Sequence, residues 1–504
     1  MKIINCVLSR ISAVILAAAF VFSGCQKDDI NPNCEYGQHL VDVTDKDDIN
    51  PNREYDQYLV DVTDSEVYET AEEFADYLST TYMLSLPETV AKIAYKLVSW
   101  DDLLALSLKF YKELGKLGGG EFERYTFTYN TTDVFGRPVV LSAGLMVPNT
   151  NAHGRQHTIE GITLYNNFFA KASVAPSLMG SCMMERAAFN HAVVVPDYEG
   201  YGIDYGKHHH PYFEYAVLAK QSIDCELAAL ELLKEIGVNV PVDCLTYNIG
   251  ISKGAPVALA VQRLMENSVS EKIAKKINLF DTFCSCGPYD IGPIARAFFD
   301  DPDGKPLYLS TLLVCCAYFS HPDIFKGYSP EDFFCEKFNN TRVDYLGGNY
   351  SLFELAEKII EEDYPKIIEL YESQGIYTLQ DVFAPSFFKE DGSINYDCHL
   401  LNLMLDVMDK GQLSGGWSPK SRVMLMHSVN DVLADYGVFT ETFNNLKYNG
   451  TGVSNPYVTK WIDYIFDHDI LSGISVACAM LMEDPAGDKL MDLYTKFDLS
   501  FWNI

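Results

Sequence analysis

Runs of apolar residues divide the chain into stretches of different period. Residues 66–117 read as helical, with amphipathic segments at Val90 to Leu97 and Leu103 to Leu114, until Gly118-Gly119-Gly120 breaks the pattern. Beyond that break the character changes. Tyr125 to Thr131 alternates and is rich in aromatic and β-branched residues, and Val139 to Val147 follows the turn at Gly136-Arg137-Pro138. Ile159 to Tyr165 and Ala192 to Val195 are short apolar runs that suit strands buried on both faces. A helix then carries Ile223, Leu227, Leu230 and Leu233 on one face and ends near Gly237. A strand is expected at Leu245 to Ile249, a helix from Ser252 to Met265, and further strands at Ile277 to Cys284 and Arg422 to His427.

Strands that alternate with helices predict an α/β fold, with a mostly parallel sheet covered by helices on both faces. The last two of these strands lie roughly 135 residues apart, far more than a normal connection. Residues 286–420 are therefore expected to be an inserted subdomain. The core is assigned to 121–285 and 421–504, and 66–120 to a helical N-terminal extension.

Residues 27–64 contain a duplication. Lys27 to Asn33 recurs as Lys46 to Asn52, with one run, and Leu40 to Asp45 recurs as Leu59 to Asp64. Two copies are too few for a solenoid. The segment is acidic and turn-rich, so 25–65 is expected to be a tether. Ahead of it, Lys2 and Arg10 precede an apolar run from Ile11 to Phe22 that is short for a membrane span. The run ends in Phe22-Ser23-Gly24-Cys25, which resembles a bacterial lipobox. That resemblance implies a signal peptide over 1–24 and acylation of Cys25. The protein would then be exported and anchored to a membrane, the outer membrane of a Gram-negative bacterium being the expected place. An ordinary signal peptide with an incidental cysteine is the alternative.

Composition narrows the partners. With 48% hydrophobic residues the chain is globular. A formal charge of −32 repels phosphate backbones, so nucleic acid is not an expected partner. Leaving aside Cys6 and Cys25, the remaining cysteines are odd in number and sit mostly in apolar runs, so they read as small buried hydrophobes. No Cys-x-x-Cys pair occurs. His208-His209-His210 could supply metal ligands, but no acidic or cysteine cluster completes a site. Asp300-Asp301-Pro302-Asp303-Gly304 begins like a calcium loop without its terminal Glu, and reads as a turn. Neither metal nor cofactor is expected.

The sharpest chemical signal is Gly250-Ile251-Ser252-Lys253-Gly254, between an apolar strand and a helix. A serine on a tight strand-to-helix turn needs small neighbours for close backbone approach. The helix N-terminus behind it turns free N–H groups toward a developing oxyanion. Such a turn resembles the nucleophile elbow of α/β-hydrolases. The resemblance implies Ser252 as nucleophile, the N–H of Lys253 as one oxyanion donor, and a chain order of Ser, then Asp or Glu, then His. Asp431 lies just past the strand Val423 to Met426 and is expected to be the acid, with Asp435 as rival. His468 is the last histidine in the chain, so that order makes it the base. His427, at a strand end, is expected to shape the loop that holds the acid. A second oxyanion donor is expected near Asn167 or Phe168, and Asn167 is preferred.

Further motifs extend the likeness. Tyr129 to Val139, Pro196-Asp197-Tyr198-Glu199-Gly200-Tyr201-Gly202, His210-Pro211-Tyr212 and His427 to Asp431 are similar to those of the secretory lipases and related bacterial esterases. The likeness spans about 120–485. Ala255 stands where a second glycine is common, and the His-Gly-Gly sequence of many oxyanion loops is missing. The resemblance implies a carboxylic ester hydrolase acting on a small-molecule or lipid ester, with the insertion as a lid. Phe298, Phe299, Leu307, Leu312, Leu313, Phe319 and Phe325 would suit an acyl pocket, or equally the core of a helical subdomain. Asp197 and Glu199 are expected to position loops. A serine peptidase on the same fold, and a catalytically silent ligand-binding lipoprotein, remain open alternatives.

Overall fold

A computed structural model of the chain describes residues 55, 57–83, 108, 112, 115–116, 121–148, 158–167, 175, 177, 184–300, 307–321, 324–345, 371–431 and 433–464. The signal segment, Cys25, the first copy of the duplication, residues 301–304 and His468 lie outside them.

The described strands form one nine-stranded sheet in the order β1-β2-β3-β5-β4-β6-β7-β8-β9. Their ranges are β1 Leu59–Tyr68, β2 Phe122–Thr132, β3 Pro138–Pro148, β4 Gly161–Asn166, β5 His191–Pro196, β6 Leu245–Ile251, β7 Leu279–Ser285, β8 Arg422–Ser428 and β9 Val458–Asp463. From β5 to β9 all neighbours are parallel, while β1, β2 and β3 add an antiparallel wing. The chain winds outward from β4 to β5, then crosses back to β6 on the other side of β4. In open α/β sheets, ligands bind at such a reversal, outside the carboxyl ends of the strands.

Two elements correct the sequence reading. The described end of the second copy is strand: Leu59–Tyr68 pairs with β2, Val62 facing Phe127 and Tyr68 facing Phe122. Its acidic residues hid it, because an edge strand exposed along most of its length can carry them without cost to the core. The N-terminal extension therefore begins as strand, and its first described helix, α1, spans Ala71–Met83. Ile277 closes a helix and does not open a strand. Asn278 caps that helix in the left-handed region at φ 49°, and β7 starts one residue later. Strand β9 has no periodic signal of its own, since only Val458 among its six residues is buried.

Helices α2 (Tyr215–Glu235), α3 (Gly254–Asn267) and α4 (Glu271–Ile277) connect the parallel strands. The most enclosed is α2, and its buried face is not purely apolar. Lys220, Gln221, Ser222, Asp224 and Glu226 are all buried. Lys220 pairs with Asp224, which also accepts from the Thr131 hydroxyl. The Gln221 amide donates to the Thr132 carbonyl, and the Ser222 hydroxyl to Asn166. Removing one member of a buried ion pair leaves an uncompensated charge, at about 3–5 kcal/mol. These contacts pin the helix at one register against β2 and β4.

The insertion has a core of its own. Helices α5 (Ile291–Asp300), α6 (Leu307–Ser320), α7 (Glu336–Tyr345) and α8 (His399–Asp409) belong to it, and α5, α6 and α8 pack together. Phe298, Phe299 and Phe325 are buried in this second cluster, with Leu307, Leu312 and Leu313 packed at its margin. They are therefore subdomain core; the side chain of Phe319 lies outside the described residues. Asp290 fastens the insertion to the sheet domain. Its buried carboxylate accepts from the Leu413 and Ser414 backbone, the Ser414 hydroxyl (2.6 Å) and the hydroxyl of Thr442 (2.6 Å). Thr442 lies on α9 (Tyr436–Tyr448), which follows β8.

Glu226 gives this core a pH dependence. Burial pushes its carboxyl up to about 8, with the Thr246 hydroxyl opposing the shift. A raised folded-state pKa contributes stability that is full below the unfolded value and is lost as pH rises through the folded one. Glu226→Gln is expected to unfold several degrees above wild type at pH 8.5, a gain of a few kcal/mol at most. The difference should close by about pH 4.5. Thermal unfolding across a pH series checks this, and a constant difference would sink it.

Candidate active site

Strand β6 ends at Ile251 and α3 begins at Gly254, so Ser252 and Lys253 make the whole turn. Ser252 sits at φ 52°, a left-handed conformation uncommon for a residue with a side chain. Backbone contacts hold it there. The Ser252 N–H donates to the Ser285 carbonyl at 2.8 Å, tying the turn to the end of β7, and Ala255 N–H donates to the Ser252 carbonyl at 3.0 Å.

Both flanking glycines are required by space. A Cβ on Gly250 would lie 2.1 Å from the Gly254 carbonyl oxygen. A Cβ on Gly254 would lie 2.0 Å from the Asn166 oxygen and 2.7 Å from that of Asn167. The start of α3 thus rests directly on the carboxyl end of β4. This contact brings the buried Asn167 backbone beside the turn that carries Ser252 and Lys253.

A buried polar network fixes that contact. The Asn166 amide donates to Asn248 Oδ1 (2.8 Å) and to the Ile249 carbonyl (3.2 Å). Its oxygen accepts from the hydroxyls of Tyr198 and Ser222. The Asn248 amide donates to the Ala258 carbonyl and to the Thr282 hydroxyl. Strands β4, β6 and β7 and helices α2 and α3 thereby meet at two asparagines that the sequence reading passed over. Their signal was available: each is an amide inside an otherwise apolar strand, where only a satisfied hydrogen-bonding role is tolerated.

Asp431 lies three residues past β8, and its carboxylate is buried. Oδ1 accepts from the backbone N–H of Leu433 (2.9 Å) and of Ala434 (2.8 Å). Asp435 instead caps α9, accepting from Gly437 and Val438 N–H. His427 is fully buried, with Nε2 2.8 Å from the Ala434 carbonyl and its ring stacked on Phe439 at 4.3 Å. It shapes the Asp431 loop. Ser252 and Asp431 follow β6 and β8, which flank β7, so their strands lie about 10 Å apart. Strand β9 runs parallel to β8 and ends at Asp463, five residues before His468 in the chain.

The loop after β5 is tightly bonded. Asp197 Oδ2 accepts from the Ser142 hydroxyl (2.6 Å) and Oδ1 from Ser177 N–H (2.7 Å), while burial raises its pKa. Glu199 accepts from Val134 N–H and from Gln221, and burial pushes it well up. Both acids serve as loop anchors. Two of the three consecutive histidines take separate partners: His208 meets Asp204, and His210 Nδ1–H donates to the Glu199 carbonyl. Among the described residues no group of three His, Cys, Asp or Glu side chains is arranged to hold a metal ion.

The glycine geometry makes a prediction. Gly254→Ala should destabilise the fold by about 3 kcal/mol or more, because the obstructing atom is backbone. Gly415→Ala, with nothing within 4 Å of the added carbon, should change stability by about 0.5 kcal/mol at most. Urea unfolding of both variants decides, and equal midpoints would refute the close approach.

No family model matches the sequence, and no curated protein matches it. Solved structures do. A ligand-bound form of the rice cell wall degrading esterase LipA from Xanthomonas oryzae superposes with a TM-score of 0.54 at 18% identity, over 75% of this chain and 95% of that one. A Legionella pneumophila protein assigned as a hydrolase gives a TM-score of 0.50 at 16% identity, over 75% and 90% of the two chains. Together with the sheet order, these likenesses show that the chain has the α/β-hydrolase fold.

Proposed function

We propose that the protein is a serine-dependent carboxylic ester hydrolase. The observation that carries this reading is Ser252, held at positive φ on a strand-to-helix turn at the winding reversal of the sheet. No ordinary helix start needs such a residue there.

In the proposed reaction Ser252 Oγ attacks the ester carbonyl while His468 takes its proton. Asp431 orients the imidazole and stabilises its charged form. The backbone N–H groups of Lys253 and Asn167 receive the oxyanion. The tetrahedral intermediate collapses, the C–O bond to the alcohol breaks, and His468 returns the proton to the leaving oxygen. Water, activated by the same histidine, then attacks the acyl-enzyme and releases the carboxylic acid. The esterase identity of the Xanthomonas neighbour supports the ester as substrate class. We also propose export and membrane anchoring through acylated Cys25, on the strength of the apolar run and Phe22-Ser23-Gly24-Cys25.

Fluorophosphonate labelling of the full chain tests the chemistry. Wild type should label, whereas Ser252→Ala and His468→Ala should not, with ester turnover reduced by at least about 10³-fold in each. A folded wild type that stays unlabelled would favour a silent ligand-binding protein. Faster cleavage of peptide anilides than of p-nitrophenyl esters would favour a peptidase.

A further inference from the structure

Ser252 is partly exposed while the insertion is docked on the sheet domain. The described part of the insertion is fastened to that domain at three places. At its entry, buried Asp290 accepts from the Leu413 and Ser414 backbone and from the Thr442 hydroxyl of α9. At its exit, the chain runs beside the C-terminal half of α3, the helix whose N-terminus follows the elbow. The Arg263 guanidinium donates to the carbonyls of Gln412 (3.3 Å), Leu413 (3.2 Å) and Gly415 (3.2 Å). The Glu266 carboxylate accepts from Trp417 Nε1–H (3.2 Å) and from the backbone N–H of Lys420 (2.9 Å) and Ser421 (2.8 Å). At the third place His321, buried just past α6, meets the carboxylate of Glu214 at 2.7 Å through Nε2. A carboxylate only accepts, so Nε2–H is the donor, and Glu214 immediately precedes α2.

Apolar packing lies between these fasteners. Tyr212 and Phe213, from the loop ahead of α2, and Val438 of α9 are buried in the insertion's own apolar cluster. The two units therefore share part of one interior.

A gate that opens for substrate is drawn from the weakly held parts of a fold, where few apolar contacts are buried and water can replace the hydrogen bonds. This insertion has the opposite character. Swinging it away would strip the Asp290 carboxylate of donors, break the Arg263 and Glu266 bonds, and uncover Tyr212 and Phe213 to water. A lipid surface could offset only the last of these, because hydrocarbon offers no hydrogen bonds in return. Nor does the nucleophile need the movement, since Ser252 meets solvent with the insertion in place.

We propose that the described body of the insertion is a fixed wall of the site and not a moving lid. The enzyme then takes ester molecules one at a time from solution, with no activation at a lipid–water interface. The inference rests on the ester hydrolase reading and deepens it by naming the physical state of the substrate. It departs from the lid that the likeness to secretory lipases implies.

Tributyrin titrated through its solubility limit tests this with the full chain. The initial rate should approach a plateau hyperbolically and stay within about a factor of two on crossing the limit. A severalfold jump once droplets form would overturn the inference and leave the hydrolase reading intact. Arg263→Ala and His321→Ala each loosen one fastener and supply a second measurement, kcat on dissolved p-nitrophenyl butyrate. A fixed wall predicts values no higher than wild type in both, since loosening can only disorder the site. A severalfold rise is the mark of a gate and would also overturn the inference. Should the variants fail to fold, hydrogen exchange of wild type replaces them. The amides of Leu413, Ser414 and Ser421 should stay protected when Triton micelles are added, and loss of that protection would refute the fixed wall. A wild type that turns over neither dissolved nor dispersed ester removes the hydrolase reading and this inference together.

Discussion

The candidate site depends on one backbone contact, the seating of Gly254 against the Asn166 and Asn167 carbonyls. It fixes how close α3 comes to β4, and so where the turn bearing Ser252 stands relative to the neighbouring strand ends. Main-chain atoms at that separation leave no room for a side chain, which is why glycine is needed at both ends of the pentapeptide. The strain of Ser252 at positive φ persists because the surroundings determine it from several sides: the bond to Ser285, the helix behind and the glycine contact.

Around that contact the polar core does work that an apolar core could not. Apolar packing is non-directional and would tolerate small slides of α2 along the sheet. The bonds from Ser222 to Asn166, from Gln221 to Thr132 and from Thr131 to Asp224 each tolerate only one register. Buried polar groups bring a desolvation cost that is recovered only when they are paired, so a shifted helix would leave several donors and acceptors orphaned at once. The same logic joins the insertion to the core through Asp290, whose four hydrogen bonds come from the chain at 413–414 and from α9.

The insertion's aromatic side chains show how hard it is to separate function from packing in a sequence. Phe298, Phe299 and Phe325 have the composition of an acyl pocket, yet they fill the interior of a small helical unit. A subdomain of this size must bury its own apolar surface to be stable, and that need comes before any ligand.

Much was legible in the sequence because it is local. Strand and helix periods and the glycines around Ser252 are written in neighbouring residues, and the mostly parallel α/β sheet followed from them. The acidic duplicated segment misled at its second copy, since Leu59–Tyr68 becomes a strand only when β2 offers an edge to pair with. Strand β9 was missed for the same reason: one buried residue in six carries no period, and its existence depends on β8 alongside. Asn166, Asn248, Tyr198 and Ser222 are far apart in the chain and acquire meaning only by converging. The sequence by itself determined which residues could carry the chemistry. Tertiary structure alone decided which polar groups meet, because hydrogen bonds between distant residues depend on positions in space that no local pattern encodes.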